Sequence, residues 1–139
     1  MVTRVLVPVD ASEMSIRALR NALDTFPDAD VTALHVIGGP SPMMAGATDL
    51  ALSDDFETAA RNRASDVLDR ARDIAAEYGV ELDTAVRVGH PARTIVNHAD
   101  DFDAVVIGSH SGSLSDRLFV GNVAERVVRR SPVPVTVVR

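Results

Sequence analysis

AVVIGSHSGSLSDRLFVGNVAERVVRRSPVPVTVV, residues 104–138, carries the clearest structural message in the chain. A short apolar run, Ala104 to Ile107, stops at Gly108. Gly121 then opens a helical pattern, Asn122 to Arg130, and a last β-branched run, Val133 to Val138, follows it. Strand, glycine, helix and strand in that order describe half of a parallel α/β unit. Glycines at 108 and 121 let backbone come close to a ligand at the mouth of a parallel sheet, and the free N–H groups of a helix start suit an anion.

The same alternation runs through the rest of the chain. Val5-Leu6-Val7-Pro8-Val9 is a near-continuous apolar run, as in a strand buried on both faces. Ser12 then caps a helix in which Ile16, Leu19, Leu23 and Phe26 recur at helical spacing. Val31 to Ile37 reads as a second strand. Phe56, Ala60, Val67, Ala71, Ile74 and Tyr78 mark a long amphipathic helix that ends at Gly79. Leu82 to Val88 is a third strand, and Gly89-His90-Pro91 turns it into a third helix. Strands alternating with helices predict an α/β fold: a single-domain, open, parallel five-stranded sheet with helices on both faces. Ligands of such sheets sit beyond the strand carboxyl ends where the winding reverses, so Asp10 and Gly108 are expected to face one crevice. The loop Gly38 to Ser53 is the one long connection, and it fits a binding lid or a tolerated insertion equally.

Composition narrows the function. The 139 residues include no cysteine, which excludes disulfides, zinc–thiolate sites and thiol catalysis. Net charge is −6, and all 14 basic residues are arginine. An acidic chain without lysine repels nucleic acid, so no nucleic-acid partner is expected. Aspartate outnumbers glutamate, which suits a salt-rich, halophilic cytoplasm; genomic GC bias is the other explanation for arginine in place of lysine. MVTRVLVPVD lacks the apolar core of a signal peptide, and no run reaches membrane-spanning length, so a cytoplasmic protein with no membrane partner is expected.

Few side chains carry obvious chemistry. Asp10 is either a ligand contact at the expected crevice or a helix-start carboxylate. Asn122 with Glu125 has the spacing of a capping pair, which competes with a ligand role for that helix start. Ser109, Ser111, Ser113 and Ser115, with Arg117, supply hydroxyls and a guanidinium for phosphate, or simply a solvated loop. His35, His90 and His110 lie at or just past strand ends, yet the i, i+4 helical pair of many metal sites is missing, and no metal site is predicted. No nucleophile–base pair stands out, and no catalytic residue is assigned.

Several segments together resemble the universal stress protein family over essentially the full length: VLVPVDASE (5–13), ALHVI (33–37), VRVGHPARTIV (86–96), DAVVIGSH (103–110) and GNVAERVVRRSPVPVTVVR (121–139). The resemblance implies a Rossmann-like sheet of strand order 3-2-1-4-5 and a site for ATP, AMP or ADP, with Mg²⁺ entering only alongside the nucleotide. The family's nucleotide-binding motif is G-x2-G-x9-G-[S/T]. Matched here, it falls on Gly108, Ser111, Gly121 and Asn122, with Val123 next on the helix. Two positions depart: Ser111 replaces a glycine, with Gly112 one residue later, and Asn122 replaces a hydroxyl residue. By the same resemblance Asp10 would hold the ribose, while Pro8, Val9, Val36 and Ile107 would line the adenine.

The last strand ends the sheet, and an apolar edge needs cover. The resemblance supplies a homodimer formed through Val133 to Val138. The implied function is a homodimeric, adenine-nucleotide-binding regulatory or protective module of the stress response. Two alternatives stay open: a dimeric interaction protein of the same fold without nucleotide, and a slow ATP hydrolase or phosphotransferase using the 109–117 loop.

Overall fold

β1 (Arg4–Pro8) lies at the centre of the sheet, with Val5, Leu6 and Val7 all buried. In the computed structural model of the chain, residues 1–38, 50–110 and 121–139 are described, the side chains of residues 50–54 excepted. The elements follow in the order β1, α1 (Glu13–Thr25), β2 (Asp30–Ile37), α2 (Leu50–Glu77), β3 (Asp83–Val88), α3 (Pro91–Ala99), β4 (Ala104–Gly108), α4 (Asn122–Arg130) and β5 (Val135–Val138). The five strands lie in the order β3-β2-β1-β4-β5. All pairings are parallel, with Val5 opposite both Val31 and Ala104, and Val105 opposite Val135. The expected strand order is therefore the observed one, and winding reverses between β1 and β4.

Strand alternation sorts the apolar residues into two cores. Val5, Val7 and Val9, with Val31, Ala33 and Val106, pack under α1 and α2. Leu6, Leu34, Val105 and Ile107 point the other way, against Ala92 and Ile95 of α3 and Ala124 and Val127 of α4. Because successive side chains of a strand face opposite sides, a strand that is apolar throughout must be covered twice.

Local signals set the element ends. Ser12 adopts extended backbone and its hydroxyl accepts from the Ser15 N–H at 3.2 Å, capping α1. At the end of α2, Gly79 has φ +67°, Val80 N–H donates to Ala75 O, and Gly79 N–H donates to Ala76 O, each at 3.0 Å. Those two bonds form a Schellman turn, which requires the left-handed conformation that glycine takes freely.

Two boundaries differ from the sequence expectation by more than one residue. α2 begins at Leu50, so residues 50–53, expected in the loop, belong to the helix; leucine and alanine are strong helix formers. β5 begins at Val135 instead of Val133. There the Ser131 hydroxyl donates to Val133 O at 2.7 Å and accepts from Val133 N–H at 3.2 Å, turning the chain before the strand starts.

A carboxylate ties the amino end of β1 to the entry of β4. Asp103 Oδ2 accepts from Thr3 N–H at 2.9 Å, Thr3 Oγ1 at 2.8 Å and Arg4 N–H at 3.0 Å. The Thr3 backbone bond, then the Thr3 hydroxyl and the Arg4 N–H, hold this carboxyl below the usual carboxylate range. A pKa lowered by folding stabilises the fold above the unfolded value of about 3.9, and the benefit disappears as pH falls through the folded value. Asp103→Ala is therefore expected to lower the urea midpoint at pH 7 and to melt like wild type at pH 2. A pH-independent difference between the two proteins would contradict this.

Candidate functional site

The reversal between β1 and β4 leaves a cleft of about 540 Å³ beyond the strand ends. Pro8, Val9 and Asp10 enter it from β1 and the turn that follows, and Val36 from β2. Ile107 and Gly108 close it from β4, and Gly121, Asn122 and Val123 from the start of α4. All of the sequence-predicted site residues within the described structure are thus brought together; Ser111 and Gly112 lie outside the described residues. Leu34, Ile95, Ser15 and Pro91 also line the cleft and were not anticipated. Leucine and isoleucine at core periods carry no binding signal of their own, and Ser15 looked like an ordinary helix residue.

Asp10 performs the helix-start role while still facing the cleft. Its Oδ1 accepts from Ser12 N–H at 2.8 Å. Ser15 Oγ accepts from Asp10 N–H at 3.1 Å and, as a donor, lies 2.9 and 3.0 Å from the Asp10 and Ser12 carbonyl oxygens. These bonds fix the turn, so the carboxylate is held in place before any ligand arrives. Among the described residues, Oδ2 accepts no hydrogen bond and remains an acceptor for a hydroxyl group.

The opposite wall is the start of α4. Gly121, not Asn122, is the N-cap residue, with φ −65° and ψ 160°. The expected Asn122–Glu125 capping pair is therefore displaced by one residue and does not form. Glu125 pairs instead with Arg129 at 3.0 Å, and among the described residues no side chain caps the helix. Among the described residues no side chain meets the first-turn N–H groups of α4, and the positive end of the helix dipole favours an anion there.

Both glycines of this wall have packing reasons. A Cβ on Gly108 would fall 2.7 Å from Met14 Cγ and 3.1 Å from Met14 O. A Cβ on Gly121 would lie 3.2 Å from Ser109 O and 3.3 Å from His110 Cα. Gly121 N–H donates to Ser109 O, joining the two ends of the 110–120 segment.

With this cleft described, comparison with known proteins becomes informative. The profile of the Universal stress protein family matches residues 1–139. The chain belongs to that family. The universal stress protein YxiE of Bacillus subtilis is 29% identical over 148 residues, covering 100% of both chains. UspA of Lactobacillus plantarum superposes with a TM-score of 0.82 at 26% identity, covering 99% of this chain and 98% of that one. A universal stress protein crystallised in complex with cAMP gives a TM-score of 0.72 at 27% identity, covering 99% of this chain and 97% of that one.

Within this family fold the histidines take separate positions. His35 is buried and its Nδ1 lies 2.9 Å from Val9 O. His90 precedes α3, and Arg126 Nη1 lies 3.3 Å from its Nε2. His110 lines the cleft. Among the described residues, no group of three or more His, Asp or Glu converges as a metal would need. A second cavity of about 620 Å³ shares Asp10, Ser12 and Val36 and extends toward His35, Phe56 and Arg63. Among the described residues, no helix is long and apolar enough to cross a membrane.

Proposed function

We propose that the cleft binds an adenine nucleotide, and that the protein is a homodimeric regulatory or protective universal stress protein of a salt-rich cytoplasm. One observation carries the reading: an acceptor carboxylate, an apolar slot and a helix start with a glycine N-cap line a single cleft. Asp10 is the acceptor for ribose hydroxyls. Val36 and Ile107 offer apolar faces for a purine, and the α4 N–H groups take the phosphate. The cAMP-bound relative supports this choice of ligand.

The test uses the lack of tryptophan and the single tyrosine in the chain, which leave the protein nearly transparent near 280 nm. Bound nucleotide is expected to dominate the ultraviolet spectrum of protein purified without additions. AMP, ADP, ATP or cAMP should raise the Tm of stripped protein, as any ligand of the native state does. Asp10→Asn keeps an oxygen for Ser12 N–H but removes the charge and one acceptor. Its nucleotide affinity is expected to fall about tenfold or more, as for loss of a hydrogen bond to a charged group. Stripped protein whose Tm ignores all four nucleotides would overturn the reading.

The dimer part of the proposal concerns the outer edge of β5. Val105 N–H donates to Pro134 O at 2.9 Å, and Ser109 N–H donates to Val138 O at 2.8 Å. In a parallel ladder, even-numbered residues of β5 then face β4, while Val135 and Val137 turn their backbone groups outward. Val137→Pro removes one outward N–H and is expected to yield monomers by sedimentation without unfolding the chain. An unchanged mass would rule out this edge as the interface.

A further inference from the structure

We propose that Ser109 and His110 form a pair that presents a neutral N–H donor to the anionic end of the ligand, making the cleft select nucleotides over nucleosides. The inference rests on the nucleotide reading of the cleft and adds a residue to it that the motif does not include.

Ser109 is 1% exposed, and its Oγ lies 3.0 Å from His110 Nδ1. Among the described residues, that nitrogen is the hydroxyl's sole partner. A hydroxyl that only accepted there would leave its own proton buried without an acceptor, which folded proteins avoid. With the acceptors that the described residues offer, Ser109 donates to Nδ1. With Nδ1 an acceptor, the neutral ring carries its proton on Nε2, the nitrogen left for a ligand.

The pair is built into the backbone at the right place. Ser109 N–H donates to Val138 O at 2.8 Å, and Ser109 O accepts from Gly121 N–H. His110 Cα and Cβ come within 3.3 and 3.7 Å of where a Gly121 Cβ would stand, so the ring starts beside the open end of α4. Among the described residues that line the cleft, Asp10 is the sole carboxylate and no arginine contributes. Anion recognition by these residues falls to neutral N–H groups, with His110 and Asn122 carrying side-chain ones.

Calorimetric titration of the full chain with AMP and with adenosine separates the possibilities. His110→Leu is expected to weaken AMP about tenfold, as for one hydrogen bond to a charged group, and to leave adenosine unchanged. His110→Gln, which keeps a side-chain N–H donor, should retain most of the AMP affinity. Long-range ¹H–¹⁵N spectra of the imidazole should show the Nε2–H form in wild type and a mixture of tautomers in Ser109→Ala. An Nδ1–H ring in wild type, an unaltered AMP affinity in His110→Leu, or equal losses for both ligands would overturn the pair's role. Wild-type protein that binds neither ligand overturns the nucleotide reading and this selection together.

Discussion

Replacing Leu34 by alanine is expected to cost about 2–5 kcal/mol of stability and to lower Tm by roughly 10 °C. Leu34 is fully buried, on the second strand, with its neighbours Leu6, Ile95 and Ile107 drawn from three other elements. It also forms part of the cleft wall. Truncation removes three buried carbons and leaves a void that α3 cannot fill without leaving the sheet. The void adjoins the cleft, so the space offered to a ligand changes shape as well. The backbone is untouched, because the Leu34 carbonyl still accepts from Val9 N–H at 2.9 Å. Val128 provides the control: it is 48% exposed, and Val128→Ala should change stability by no more than about 0.5 kcal/mol. Chemical denaturation of both variants checks the pair. A loss at Leu34 smaller than about 1 kcal/mol would be too little for a closed core position.

Gly108→Ala is the second large effect, about 1–3 kcal/mol, and it is expected without any ligand. The added methyl meets Met14 Cγ at 2.7 Å, which the side chain can partly relieve. It also meets the Met14 carbonyl oxygen and carbon at 3.1 and 3.2 Å, which belong to the first turn of α1. Relief there means moving the helix that Ser12 and Asp10 hold in place. Met14→Ala combined with Gly108→Ala should recover part of the loss and not all of it, since the backbone contacts persist. A double-mutant cycle measures that coupling. If Gly108 were needed only for close approach to phosphate, Gly108→Ala would fold as stably as wild type and lose affinity alone. The two outcomes are distinct on a thermal melt.

This result bears on what could be read from the sequence. Gly108 was read for close backbone approach to a ligand, and its packing against Met14 was not foreseen. A glycine at a strand end is visible, whereas the helix pressed against it from 94 positions earlier in the chain is not. β1 was legible because burial on both faces leaves no polar positions in Val5-Leu6-Val7. Ser12 and Gly79 were legible because capping and left-handed backbone each require particular residue types. The bounds of α4 were read as observed, but its capping by Asn122 with Glu125 was not. Gly121 and Asn122 are both acceptable N-caps, and what selects Gly121 is its contact with the Ser109–His110 backbone, a tertiary fact. Leu34 and Ile95 were missed as cleft residues because an apolar wall and an apolar core use the same side chains. The turn at Ser131 was missed because Val133 continues the β-branched pattern into the strand.

The hydrogen bond between Gly121 N–H and Ser109 O has a bearing on how such a chain can diversify. It brackets the intervening stretch at its base, so the β4 end and the α4 start keep their spacing whatever joins them. Closure entropy grows only with the logarithm of length, about 0.6 kcal/mol for each doubling. Residues can therefore be inserted or exchanged between positions 110 and 121 at small thermodynamic cost. Sequence can drift in that one short interval while the sheet, both cores and the Asp10 turn stay as they are.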